Sequence, residues 1–371
     1  MAEKSTDIYK ELANHLDKMP IGYPATESGV ELRVLEHIFT PEQGEIAIKL
    51  SFQPKPLKEI FKYFRKSGIS IDELEQKLDE MYFKGLINRG TRKNADIEEK
   101  YYGLAPFAIG FYEYQLNHLT KEFVHDAKQY MKEAFWDEFN VSGIPQLRTI
   151  PLEQTVETEQ SIATYDDLRS MINNIGEPIA VAECICRQGK ALIGEPCEKT
   201  KILESCFSFR TAAKVSIERG HGREITKEEA LKIIEKAEED GLVLQPSNSK
   251  KPFAMCTCCG CCCGVLTNQK LFSAPAQFFA TNFYAEVDTD LCAGCETCID
   301  RCNMDAVHVE DAIAHVDKTR CIGCGVCVPT CTSEAMKLYK KAEEINPPEN
   351  TVAAYMAIMD KKAELARAEK N

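Results

Sequence analysis

Apolar positions along the first hundred residues recur at helical spacing, broken by residues that start and stop helices. In "TPEQGEIAIKL", Thr40 is suited to cap a helix whose first position is Pro41. "KPLKEIFKYFRKSG" predicts a second helix ending at Gly68, and Ser70 caps a third, "IDELEQKLDEMYFKG", whose Ile71, Leu74, Leu78, Met81 and Tyr82 share one face. "LINRG" and "KYYGLAP" then read as short strands on either side of a polar turn. From Phe107 to Phe139 the pattern becomes a long aromatic-rich helical stretch, and "NVSGIPQLRTIPLEQ" reads as a linker. Further on, "EPIAVAE" reads as a buried strand. Thr226 with Glu229 forms a capping box for "KEEALKIIEKAEED", stopped by Gly241, and "GLVLQP" is a strand. A Pro-Pro break precedes a last helical pattern, and the final charged residues are expected to fray.

These elements divide the 371 residues into a helix–hairpin region (1–106), a long helix and linker (107–145), a cysteine-rich α/β region (146–283), a terminal repeat (284–340) and a helical tail (341–371). The expected class is α+β, multi-domain. Chain length allows each core to form without covalent staples, so stability alone does not account for 18 cysteines, all between Cys184 and Cys331. No apolar h-region opens the chain, and no run approaches the roughly 18 apolar residues that cross a bilayer, so the expected location is the cytoplasm, without membrane insertion. The formal net charge is −13, which disfavours nucleic acid as the main ligand and suits a basic protein partner.

The terminal repeat carries the clearest chemistry. "VDTDLCAGCETCIDRCNMDAVHV" aligns with "VDKTRCIGCGVCVPTCTSEAMKL", and each has the spacing C-x2-C-x2-C-x3-C: Cys292, Cys295, Cys298, Cys302, then Cys321, Cys324, Cys327, Cys331. Three thiolates at that spacing can face three corners of one cubane while the fourth leads away. Gly294, Gly323 and Gly325 suit backbone that wraps closely around a ligand. Zinc has no use for a third cysteine at the same spacing, twice over.

This stretch, about 284 to 339, resembles the bacterial two-cluster ferredoxins. The resemblance implies two [4Fe–4S] clusters with crossed ligation: Cys292, Cys295, Cys298 and Cys331 on one, and Cys321, Cys324, Cys327 and Cys302 on the other. Ala306 and Ala335 stand where the family keeps a small residue. The family's runs usually end Cys-Pro, but here Asn303 and Thr332 follow, which restores an N–H that could reach a sulfur.

Ten cysteines remain, in two groups: Cys184, Cys186, Cys197 and Cys206, then Cys256, Cys258, Cys259, Cys261, Cys262 and Cys263 in "AMCTCCGCCCGV". Three readings stay open. One or two further [4Fe–4S] clusters with ligands from both groups is preferred; a redox-active dithiol or zinc site, and inert packing, are the others. Cys-Cys-Gly fragments in the second group also resemble the modules of heterodisulfide reductases, without their flanking spacing. Arg187, beside Cys186, reads equally well as a cation against an anionic cluster or as a surface side chain.

The helices and hairpin between about Val30 and Pro106 resemble a winged helix, a frequent DNA-binding form. Its third helix, however, exposes Asp72, Glu73, Glu75, Asp79 and Glu80 against Lys77 and Lys84, which would repel phosphate. Lys62, Arg65, Lys66, Arg89, Arg92 and Lys93 are the basic residues that keep DNA in view. His118 and His125, seven apart on one expected helix face, more often pack than ligate. The aromatics around Trp136 suit a core or an interface with another subunit, leaving a homo-oligomer open.

No nucleotide-binding or catalytic-triad motif is present. Taken whole, the chain resembles the multi-domain 4Fe–4S ferredoxin-type proteins of anaerobes. That implies a low-potential electron-transfer protein, or a subunit of an oxidoreductase complex, working between a reduced donor and an acceptor oxidoreductase. The alternatives are an iron–sulfur redox-sensing winged-helix transcription regulator and a reductase acting through the central thiols.

Overall fold

The computed structural model describes residues 2–94, 97–155 and 166–368. Helix and strand are mixed as α+β, and the chain forms two compact units, Met1–Val141 and Ser142–Asn371.

The first unit runs α1 (Ala2–Leu16), α2 (Val30–Ile38), α3 (Pro41–Ala47), β1 (Lys55–Pro56), α4 (Leu57–Phe61), α5 (Ile71–Phe83), β2 (Ile87–Asn94) and β3 (Ile97–Leu104). Two helices start at the expected caps, which the structure extends to capping boxes: Thr40 accepts the Gln43 N–H while Gln43 accepts that of Thr40, and Ser70 accepts the Glu73 N–H while Glu73 accepts that of Ser70. Leu74, Leu78, Met81 and Tyr82 are buried along α5. The strands form one antiparallel sheet in the order β1-β3-β2.

Two expectations fail here for local reasons. The helix expected through Gly68 ends at Phe61, because the N–H groups of Lys62, Tyr63 and Phe64 bond three residues back and tighten the chain into turns. The long helix from Phe107 is broken: Asn117 adopts φ 68°, and regular helix begins after Thr120 caps α6 (Lys121–Tyr130), followed by a wider turn and α7 (Trp136–Asn140). His118 and His125 therefore do not share a helix face, and both are exposed. The aromatics are core: Phe107 contacts Tyr23, Phe111, Tyr130 and Phe135, and Trp136 packs on Phe135 and Phe139.

The second unit contains α8 (Leu168–Asn174), β4 (Ile179–Glu183), α9 (Ile185–Leu192), β5 (Glu204–Phe209), α10 (Thr211–Glu218), β6 (Gly222–Ile225), α11 (Lys227–Glu239), β7 (Val243–Pro246), β8 (Ala254–Cys258) and α12 (Gly264–Gln269). Its five strands are ordered β6-β4-β5-β8-β7 and every pairing is antiparallel. The α/β expectation for this region is thus corrected to α+β, since an α/β weave needs parallel strands. The segment expected as a linker is buried instead: Leu147 and Ile150 bridge to Ser247 and Leu244, and Arg148 pairs with the buried Asp166.

After α12 come β9 (Phe283–Val287), α13 (Thr297–Arg301), the hairpin β10 (Val307–Glu310) with β11 (Ile313–Val316), and β12 (Met336–Lys340), which returns to pair with β9 from Met336↔Val287 to Lys340↔Phe283. The last helix, α14 (Thr351–Ala368), buries Ala354 and Ile358; residues 369–371, expected to fray, lie outside the described residues. Among the described residues, no helix is long and apolar enough to cross a membrane.

Candidate metal centre

The eight cysteines of the repeat lie on two tight loops and the two segments that leave them. Gly323 adopts φ +65°, and a Cβ there would run into the Phe283 carbonyl and the Thr281 hydroxyl, so the loop closes only with glycine. Leu152, from the buried segment before the sheet, donates its N–H to the Cys324 carbonyl and holds that loop from outside.

Neighbouring thiols sort the eight into two sets. Burial raises the Cys298 thiol, and Cys295, Cys292 and Cys331 raise it further. Burial likewise raises Cys327, with Cys324, Cys321 and Cys302 as its neighbours, and pushes Cys324 up to about 12. The fourth cysteine of each run therefore lies with the first three of the other. Main-chain N–H groups point at the sulfurs: Ala285 at Cys321 (3.3 Å), Ala306 at Cys302 (3.2 Å), Ala314 at Cys292 (3.3 Å) and Met336 at Cys331 (3.4 Å). Four-thiol sets with amide donors and closely wrapped glycine suit a [4Fe–4S] group, whose charge such donors stabilise. The first set reaches the surface at Cys295, and Leu291 and Ile299, four positions to either side in the chain, are also exposed; in the second, Cys321 and Cys327 are buried.

The ten middle cysteines divide differently from their order in the chain. Cys184 caps α9 at the end of β4, Cys206 faces Cys256 across β5 and β8, Cys258 is two residues along β8, and Cys263 caps α12. These are in contact with one another. Cys186 bonds to Cys184 and lowers its pKa, with Arg187 helping; Cys206 and Cys258 do the same for Cys256; Cys258 is raised by its bonds to Cys256 and Cys263. The remaining four come together across 62 to 65 positions of sequence: the sulfurs of Cys197, Cys259, Cys261 and Cys262 all lie within 4.8 Å of one another. The bond from Cys262 holds the Cys259 thiol down to about 4, against burial and with Arg187 assisting.

Arg187 is no surface residue. At 2 % exposure it donates to the carbonyls of Ile202 (3.0 Å) and Thr257 (2.8 Å) and to the Ser205 hydroxyl (2.5 Å). Burial opposes its charge, but Cys184, Cys259 and Cys258 outweigh burial and hold the guanidinium pKa above its ordinary value.

Asn303 was noticeable in the sequence only as a departure from proline. Its side chain accepts the Gly260 N–H (2.8 Å), between Cys259 and Cys261, and donates to the Gly241 carbonyl (2.9 Å). A Cβ on Gly260 would lie 2.6 Å from the Asn303 carbonyl. The residue after Cys302 thus docks the repeat onto the crowded cysteine loop.

In the first unit two of the five acids of α5, Glu75 and Asp79, are tied to the hairpin, while Asp72, Glu73 and Glu80 are exposed. Asp79 pairs with Arg89 (2.8 Å) and Lys100 (2.6 Å), and Lys100 also meets Glu75. Arg92 lies over the Tyr101 ring, and the side chain of Lys93 lies outside the described residues.

Residues 314–337 match the 4Fe-4S binding domain family, a stretch that includes Cys321, Cys324, Cys327 and Cys331. No curated protein and no solved structure matches the chain. The family match together with the clustered thiols supports at least one [4Fe–4S] cluster and an iron–sulfur electron-transfer role.

Proposed function

We propose that this chain is a low-potential electron-transfer protein of the reducing cytoplasm of an anaerobe, passing single electrons from a reduced donor to an oxidoreductase. Two [4Fe–4S] clusters would be held by Cys292, Cys295, Cys298 and Cys331, and by Cys302, Cys321, Cys324 and Cys327. When bound, such clusters supply one-electron redox chemistry. The observation that carries the reading is the doubled four-cysteine run, folded so that its thiols fall into two sets with main-chain N–H groups on their sulfurs.

The chain's own residues supply position, shielding and access. Ala285, Ala306, Ala314 and Met336 offset thiolate charge through their N–H groups, and Ile322 and Val326 exclude water from the buried set. Cys295 offers an exposed edge. Around it Asp288, Asp290, Glu296 and Asp300 are exposed beside Leu291 and Ile299, a face suited to a partner with a basic rim and an apolar centre.

A further cluster is proposed on four of the six thiols Cys184, Cys186, Cys206, Cys256, Cys258 and Cys263. Cys258 and Cys263 belong to the same apolar core as Cys321 and Cys327, which favours a relay within one unit. The helix–strand–helix–helix–hairpin order of the first unit, with β1 completing the sheet, supports a winged-helix reading. Its α5 acids and engaged Arg89 favour protein docking over DNA.

Anaerobic purification with iron and sulfide analysis and EPR tests the proposal. About eight irons are expected in the terminal repeat, with spin-coupled signals on reduction, and about four more in the middle that Cys256→Ser with Cys258→Ser removes. A colourless protein, or one with zinc alone at the repeat, would overturn it.

A further inference from the structure

The four sulfurs of Cys197, Cys259, Cys261 and Cys262 are closer together than a cubane allows. Cys197 Sγ lies 3.6 Å from Cys259 Sγ and 3.7 Å from Cys261 Sγ, and Cys261 Sγ lies 3.7 Å from Cys262 Sγ. A regular tetrahedron with a metal–sulfur distance of about 2.3 Å has an edge of about 3.8 Å. A disulfide would need about 2.05 Å, and all four cysteines are free. A cubane places four irons between its ligands and spreads the thiolates. The repeat gives an internal comparison: among the described residues, no three of its eight cysteines gather their sulfurs within 4.8 Å.

We propose that Cys197, Cys259, Cys261 and Cys262 bind a single divalent zinc ion in a closed, tetrahedral, all-thiolate site that is separate from the iron–sulfur centres. Each ligand thiol gives up its proton on binding. All four positions are filled by protein, so the site is structural and leaves none for substrate. The surroundings suit it. Ala237, Leu242 and Ile202 pack against the sulfurs, the N–H groups of Glu198 and Cys262 point at Cys261 and Cys259, and the buried Arg187 lies beside Cys259, offsetting part of the two net negative charges that four thiolates leave on zinc. The ion would staple the loop after α9 to the loop after β8, and so fix Gly260 against Asn303.

The test uses the full chain, produced anaerobically with zinc and iron both supplied. Metal analysis should find one zinc per chain in addition to iron, and X-ray absorption at the zinc edge should find four sulfurs at about 2.3 Å. Cys197→Ser and Cys261→Ser should each lose that zinc while iron and sulfide contents stay unchanged. Growth on cobalt instead of zinc should give the wild-type chain the intense red-region absorption of tetrahedral tetrathiolate Co²⁺, which reports on the site even where a serine variant does not fold. Iron and sulfide lost together in the two variants would assign the quartet to an iron–sulfur cluster and overturn the proposal. Zinc retained by both variants, or cobalt without the tetrathiolate spectrum, would overturn it as well.

Discussion

Asn303→Ala probes the joint between the terminal repeat and the crowded cysteine loop. Asn303 is 3 % exposed and makes two close bonds to main chain, from the Gly260 N–H and to the buried Gly241 carbonyl, besides a long one to the nearby Arg301 carbonyl (3.5 Å). Alanine leaves both groups in place without partners. An orphaned buried carbonyl costs about 1–3 kcal/mol, and the partly exposed N–H, which water can reach, about 0.5–1.5 kcal/mol. The small void left by the amide is a minor addition, so the expected loss is about 2–4 kcal/mol. Anaerobic denaturant titration followed by circular dichroism, with bleaching of the cluster absorbance read in parallel, measures it. Both probes should shift to lower denaturant. Asn303→Asp keeps the acceptor and loses the donor, so it should fall between alanine and wild type, while Asn303→Pro, the residue usual in ferredoxin runs, should cost at least as much as alanine. A change below about 0.5 kcal/mol for alanine, within the range of an ordinary surface substitution, would refute the claim that this side chain holds the two segments together.

Gly323→Ala combines a left-handed φ of +65° with a Cβ driven into the Phe283 carbonyl. It should cost about 2–5 kcal/mol and lower the iron content of the repeat, whereas Gly68→Ala, at φ +81° with open space around it, should leave iron unchanged. Arg187→Met removes a buried cation from among thiolates and strands the carbonyls of Ile202 and Thr257. Because a cation favours the more negative, reduced state of a neighbouring centre, the middle centre's potential should fall in an EPR-monitored titration while the repeat's signals hold; a rise would count against the assignment. In the first unit, burial pushes the Asp79 carboxyl up, but hydrogen bonds from Lys100, Arg89 and Tyr102 outweigh it and hold the pKa low. A depressed carboxylate contributes stability above its unfolded value of about 3.9 that is lost as pH falls through the folded pKa. Asp79→Asn should therefore flatten the acid limb of a thermal-stability profile below about pH 4, and an unchanged limb would show that other groups set it.

What the sequence made legible is what short-range chemistry dictates. The helix caps at Thr40 and Ser70, the strand before Cys184 and the two four-cysteine runs each depend on residues a few positions apart, and they fold where the pattern puts them. The strand direction in the middle sheet and the partners of the ten middle thiols are set by contacts across long loops. Cys197 meets Cys259 over 62 positions and Cys206 meets Cys256 over 50, and no local spacing encodes either. Breaks in periodicity were also hidden: Asn117 in the left-handed region stops a pattern that otherwise continues, and Leu147, Ile150 and Leu152 form a buried extended segment disguised by its prolines.

Those long-range contacts explain why the middle cysteines outnumber the ligands any one centre needs. On β8, Cys256 and Cys258 lie two residues apart and so point to one side of the sheet, where Cys206 also lies. Past Cys258 the strand ends in a turn, and Cys259, Cys261 and Cys262 swing to the loop after α9, while Cys263 caps α12 and returns to the first group. The dense run is thus read out on two sides of one chain reversal. One side collects six thiols at the end of the sheet, of which Cys256, Cys258 and Cys263 join the core shared with the terminal repeat; the other closes four sulfurs on a volume fit for one ion. Gly260 is the hinge of that reversal, and its N–H is the one that Asn303 accepts. A substitution at Asn303 should therefore disturb zinc and terminal iron together, although neither metal is proposed to touch its side chain.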